Sequence, residues 1–191
     1  MSPQLGAHEV MEIHEVLSDT VDGINQFELY RPHVQDPQLA NILDHQIQFM
    51  NQEYNQMVQA LGQMAPLQGR PSKAFQSSQR SAPVYGVDNP GTTAPNPSGQ
   101  QLSDRDIASG MLGCAKSSAN LRMLASLECA DPQIRRMLTQ GAVNCGDQAY
   151  ETFQYMNQRG YYQVPTMPQN TANAMLGMYQ PASPDNQVPM Q

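Results

Sequence analysis

Between residues 5 and 64, Val10, Ile13, Leu17, Val21, Ile24 and Glu28 recur at steps of three and four, the period of one face of an α-helix. Asp36-Pro37 then supplies an N-cap followed by proline at the first helical position, where the missing N–H leaves no bond unmade. Leu39, Leu43, Gln46, Met50, Glu53, Met57 and Leu61 carry the same period onward. The segment predicts two helices with a turn near His33 and Val34. Residues 103–162 predict a second pair. Ser103 to Asp106 reads as a capping box with Asp in place of Glu, and Ile107, Met111, Cys114, Ser118, Leu121, Ala125 and Glu128 line one face. Asp131-Pro132 restarts a helix carrying Ile134, Leu138, Gly141, Cys145, Thr152 and Met156.

The two restarts share a phrase. DPQLANIL at 36–43 matches DPQIRRML at 131–138, an offset of 95 residues with four of the eight positions identical. Between the pairs, residues 65–102 are rich in Pro, Gly, Ser and Gln. So little apolar surface does not offset the entropy of ordering a chain, and the stretch reads as a long surface connection or a disordered segment. Residues 163–191 form a Pro/Gln-rich tail of the same character. Two antiparallel hairpins joined by one long crossover give an all-α, ferritin-like four-helix bundle, and the repeated phrase suggests internal duplication.

Composition narrows the function. The 191 residues carry a formal charge of −7, and only 14% are charged while 39% are hydrophobic. An acidic chain has no electrostatic footprint for a phosphate backbone, so no nucleic-acid partner is expected. No apolar run approaches the ~20 residues a bilayer span needs. No secretory signal is visible at the N-terminus, and three widely spaced cysteines read as free thiols in a reducing compartment, consistent with cytosolic synthesis. The charge is unevenly placed. Residues 1–65 hold nine carboxylates and one arginine, whereas residues 103–160 hold six acidic and six basic side chains. Either two faces meet different partners or one hairpin is simply well solvated.

A bundle of this type raises the question of a di-metal centre, which needs bare Glu on two helices and Glu-x-x-His on the other two. None of the seven Glu residues has a His three positions later, and all four histidines lie in the first half. No metal centre or other cofactor is expected. The nearest approach is HEVMEIHE at 8–15, where Glu12 stands in the place of the second zincin His. His8, Glu12 and Glu15, continued by Asp19 and Asp22, form a stripe opposite the apolar face. A solvated face is its commoner meaning, and a weak surface cation site the other. Glu28, Glu53 and Glu128 fall on or beside apolar faces and call for partners, as structural salt bridges or hydrogen bonds in the commoner reading and as vestigial ligand positions in the other; hairpin geometry sets Glu53 across from the region of His14 and Glu128 about two helical turns from Arg135. Cys114 and Cys145 sit on core faces as small hydrophobes, and Cys129 lies nearer a helix end and more exposed. No Ser-His-Asp, Cys-His or phosphate-cradling loop is present, so the chain does not read as an enzyme.

Three phrases in order, LSDRDIASGMLGCAKSSA, LECADPQIRRML and AYETFQYMNQRGYY, resemble the Coat F domain of spore coat proteins from endospore-forming bacteria. The resemblance covers the acid-Cys-Ala-Asp-Pro turn at Glu128 to Pro132 and the Met-x-x-x-Gly-Tyr-Tyr ending at Met156 to Tyr162. It extends more weakly to the first hairpin. It implies a structural, non-enzymatic component of the spore coat, synthesised in the mother-cell cytoplasm, with other coat proteins as partners and a homo-oligomer as a further possibility. It supplies no active site. The rival reading is a ferritin-like metal-binding or oxidative enzyme using carboxylates of the first hairpin. Coat layers of this kind resemble cross-linked matrices, which directs attention to Gln, Lys and Tyr. Lys73, Tyr161, Tyr162 and Tyr179 are the expected exposed assembly or cross-linking positions, beside 25 Gln residues that also serve simply to keep a surface polar without charge.

Overall fold

A computed structural model describes residues 5–62, 73–95 and 102–181. Four long helices, α1 (Ala7–Tyr30), α2 (Pro37–Gly62), α3 (Asp104–Leu127) and α4 (Pro132–Gln158), are followed by a short α5 (Gln169–Leu176). The described residues form no β-strand. Each helix start follows its local chemistry. Ser103 and Asp106 exchange backbone-to-side-chain bonds at the head of α3, and Asp131 Oδ1 accepts from the N–H groups of Gln133 and Ile134 at the head of α4. Asp36 does the same for Gln38 at the head of α2. A 3₁₀ turn at Arg31–His33 joins α1 to α2, and Arg31 grips Asp44 through two bonds of 2.6 and 3.0 Å.

α1 packs on α2 and α3, and α4 packs on α2 and α3, so α1 and α4 stand diagonally across the assembly. The repeated phrase has a structural meaning here. The N–H of Asp36 donates to Asp104, the first residue of α3, and the N–H of Asp131 donates to Glu9 in the first turn of α1. Glu9 and Asp104 are themselves 95 residues apart, the offset that separates Asp36 from Asp131. Each hairpin turn is therefore capped by a carboxylate from the head of the other hairpin, where the helix dipole favours negative charge. The reciprocity repeats in mid-bundle: Asp19 accepts from Ser118, and at the equivalent pair Cys114 Sγ approaches Gly23.

The inward face of α1 differs from the expected one by about a residue. Glu9, Ile13, Val16, Thr20, Gly23 and Phe27 are buried, whereas Val10, Val21 and Glu28 are exposed. The two rows have the same period, and the choice fell to Phe27 and Val16, which fill the core, and to Glu9, which has a cap to reach. In α3, Arg122 is buried beside a half-buried Leu121 that packs on the core, with Ala108, Ala115 and Ala125 letting α4 approach closely. The expected inward residues of α2 from Leu39 to Met57 and of α4 are buried as the period requires.

Of the two expected states of the crossover, the described residues take the surface connection. Residues 63–72 and 96–101 lie outside the described residues, but 73–88 form an extended strap held along α4. Side chains of α4 supply its bonds: Asn144 to Phe75 N, Glu151 to Ser78 N, Gln154 to Ser81 O, Asn157 to both Val84 N and O, and Gln158 to Ala82 O. Gln163 and Val164 complete the row on Asp88 and Gly86. Backbone that would otherwise lose its hydrogen bonds on docking is thus satisfied by a polar row on one helix. Phe75 is the apolar anchor, buried between the rings of His45 and Phe49 at centroid distances of 4.9 and 5.1 Å. A helix of amides and one buried aromatic replace the hydrophobic content that the segment lacks.

Phe75→Ala should destabilise the fold by about 3–5 kcal/mol, read as a lower urea midpoint. The same substitution should open residues 73–88 to protease while α1–α4 remain intact, with cleavage mapped by mass spectrometry.

Candidate functional site

Two apolar clusters lie along the bundle, one around Phe27, Leu43, Ile107 and Tyr155, the other around Ile13, Val16, Met57 and Leu138. A buried polar group lies among the same four helices. Arg122 is only 2% exposed; its Nη1 donates to Glu53 Oε2 and its Nη2 to Thr20 Oγ1 at 2.9 Å. Asn144 Nδ2 donates to the second oxygen of Glu53 at 2.7 Å and to the Lys73 carbonyl at 3.0 Å. Gly141 provides the room, because a Cβ there would collide with the Arg122 guanidinium. Burial works against the Arg122 charge, and the neighbouring Cys145, Glu53 and Asp19 outweigh it and hold the guanidinium protonated.

A second buried carboxylate, Glu151, is fully covered. It accepts from Gln46 Nε2 at 2.9 Å, Ser78 N at 2.6 Å and Ser78 Oγ at 2.7 Å, and His45 Nδ1 stands 3.5 Å away. The third, Glu9, accepts from Gly6 N and Asp131 N, each at 2.6 Å. Beside Arg122 lies an internal cavity of about 10 Å³ reached by Cys114, Cys145 and Gln148, room for about one water molecule. Arg122 Nε and Gln148 Nε2 have no hydrogen-bond partner among the described residues.

Among the expected carboxylates, Glu53 is buried, with Arg122 and Asn144 as partners in place of His14, which is exposed. Glu28 and Glu128 are exposed, and Glu128 lies 3.9 Å from His8. His8 and Glu15 are exposed on α1 and Glu12 is half-buried, and no three His, Cys, Asp or Glu side chains converge among the described residues. Cys145 is buried, while Cys114 and Cys129 are both half-buried, so Cys129 is not set apart by exposure. Lys73 is exposed at the start of the strap. Tyr179 and Tyr162 are 80% and 39% exposed, and Lys116 Nζ lies 5.3 Å over the Tyr162 ring. Tyr161 is half-buried, packed on the larger apolar cluster with its ring 6.3 Å from that of Tyr155. Its exposure was overestimated because Gly160, at φ +70°, folds the chain back onto α4. Sequence reasoning missed Arg122, Asn144 and Glu151. Arg122 was reachable as a polar residue beside the apolar row of α3, whereas Asn144 and Glu151 belong to a buried polar row of α4 with Gln148, Gln154 and Asn157.

Glu53→Ala should cost about 3–5 kcal/mol by leaving the Arg122 charge buried and unpaired, while a paired Glu53→Leu/Arg122→Met change should recover most of that loss; chemical denaturation checks both. Burial pushes the Cys145 thiol up to about 12. Cys145 should therefore resist alkylation in the folded chain and react freely after unfolding. Its ionisation in the unfolded chain nearer the ordinary thiol range should lower stability as pH rises through that range.

The Coat F domain family model matches residues 103–165. The chain is 31% identical over 177 residues, 93% of its length and 81% of the relative's, to the spore coat protein F-like protein YhcQ of Bacillus subtilis (strain 168). It also superposes on the crystal structure of a Bacillus halodurans C-125 protein described as a candidate spore coat protein. That match has a TM-score of 0.64 at 17% identity and covers 87% of this chain and 96% of the other, a likeness of fold. Together with the Asp-Pro turn and Gly-Tyr-Tyr ending, the match to YhcQ identifies the chain as a member of the Coat F family.

Proposed function

We propose that this chain is a structural, non-enzymatic component of the bacterial spore coat, built as a ferritin-like four-helix bundle of two antiparallel hairpins. In this reading residues 5–64 and 103–162 are the hairpins, 65–102 the crossover and 163–191 the assembly tail. The chain is made in the mother-cell cytoplasm and associates with other coat proteins. The observation that carries it is the fate of the interior acids. Glu9, Glu53 and Glu151 are the buried carboxylates of the described residues, and each already accepts from donors of the chain itself. A guanidinium lies beside Glu53, so the interior charge is neutralised by the protein. That arrangement favours a scaffold over an oxidative centre. Outside the bundle the tail favours contact with neighbours. Residues 160–181 contain no charged side chain, and Met175, Leu176, Met178 and Tyr179 are exposed.

A tagged copy expressed in sporulating cells should co-purify with the coat. A chain ending after Pro165 should keep its thermal transition, because Tyr161 and the Gly86–Val164 bond remain, yet be retained at a lower level in purified spores. Equal retention would assign attachment to the bundle. Elemental analysis of the untagged protein should find well under one iron or manganese per chain, and two tightly held metals would overturn the scaffold reading.

A further inference from the structure

The internal cavity beside Arg122 lies where the two halves meet across their repeat. Its walls include Asp19 and Gly23 of α1 and Cys114 and Ser118 of α3. The 95-residue offset relates Asp19 to Cys114 and Gly23 to Ser118. One of the two equivalent contacts is closed by the bond from Ser118 Oγ to Asp19 at 2.6 Å. In the other, Gly23 brings no side chain, and a Cβ there would stand 3.2 Å from Cys114 Sγ. The unlike pair sits at an open volume of about 10 Å³.

Arg122 and Gln148 line the same cavity. Both are 2% exposed, and each keeps one donor unused. Arg122 directs its terminal nitrogens to Glu53 and Thr20, which leaves Nε without a partner among the described residues. Gln148 Nε2 has none either. Buried N–H groups are rarely left in that state, because each has given up its bonds to solvent.

We infer that one water molecule is a fixed part of this core, accepting from both Arg122 Nε and Gln148 Nε2. Size, polarity and charge select it. The volume suits about one water. Both unused groups are donors, so the occupant must offer lone pairs, which a metal cation does not. An anion has lone pairs, but Glu53 already neutralises Arg122 and Asp19 lines the cavity, so a further negative charge would enter beside two carboxylates. Water is neutral, and Asp19 and Thr20 on the same walls offer acceptors for its hydrogens. So placed, it joins α1, α3 and α4 at the level where Glu53 ties in α2. A bridge of this kind is nearly as favourable in enthalpy as a direct bond.

The test is a crystal structure of the full chain grown in bromide, at a resolution that shows ordered water. One peak should lie about 2.7–3.2 Å from both nitrogens, with no anomalous signal at the bromine edge. A dry cavity overturns the inference. So does a bromide peak, which marks an anion site, or a Gln148 amide turned so that its oxygen accepts directly from Arg122 Nε. In solution, water-selective Overhauser spectra of the isotope-labelled chain should show a long-lived water contact at the Arg122 Nε–H. Gln148→Met, which keeps the side-chain volume and removes the donor, should lose that contact with unchanged helical circular dichroism. No contact in the wild type, or one that survives Gln148→Met, overturns the two-donor site without need of a crystal.

Discussion

The buried guanidinium of Arg122 organises the interior. Removing a guanidinium from water costs several kcal/mol unless its charge and its N–H groups are met. Arg122 meets that cost through Glu53 from α2 and Thr20 from α1, while Asn144 from α4 holds the other oxygen of Glu53. All four helices thus contribute to one polar constellation. A helix slid by one turn would leave an unpaired charge in the core, a penalty that purely apolar packing does not impose. Polar satisfaction fixes which level of each helix faces which.

The same residue extends that constraint to the crossover. Asn144 supports Glu53 with one part of its amide and holds the strap through Phe75 N and Lys73 O with the rest. Glu151 repeats the pattern one step along, joining Gln46 of α2 to Ser78 of the strap. The interior network and the surface strap are therefore successive layers of one hydrogen-bonded system, with Phe75 as the apolar plug between them. This explains how a segment poor in hydrophobic residues acquires order: its backbone partners are prearranged on a rigid helix, which reduces the entropy to be overcome.

Much of the architecture was legible because its signals are local. Asp36-Pro37, Ser103 to Asp106 and Asp131-Pro132 act within one turn of chain, and the inward residues of α4 follow from period alone. What remained hidden depends on contacts between distant residues. On α1 the rows through Val10 and through Glu9 are equally periodic, and the packing of Val16 and Phe27 in the core together with the bond from Glu9 to Asp131, 122 residues away, makes the second row the inner one. On α3 the burial of Arg122, next to a Leu121 that itself packs on the core, turns on a buried acid waiting on another helix. Amphipathic period locates a face but does not reveal which polar residue on its border will find a partner.

The repeat at 36 and 131 links these observations. Its two aspartates occupy equivalent turns, and the carboxylates that accept from their N–H groups occupy equivalent helix heads, each pair 95 residues apart. Such reciprocal capping is the arrangement expected of a duplicated hairpin that packs on its own copy. On the outer surface the halves have diverged: Glu15 and Asp22 of α1 correspond by that offset to Gly110 and Ser117 of α3, while Asn25 and Leu29 correspond to Asn120 and Leu124. The caps that join the halves kept their carboxylates, and the solvent-facing positions did not. Charge asymmetry therefore sits on a nearly symmetric frame.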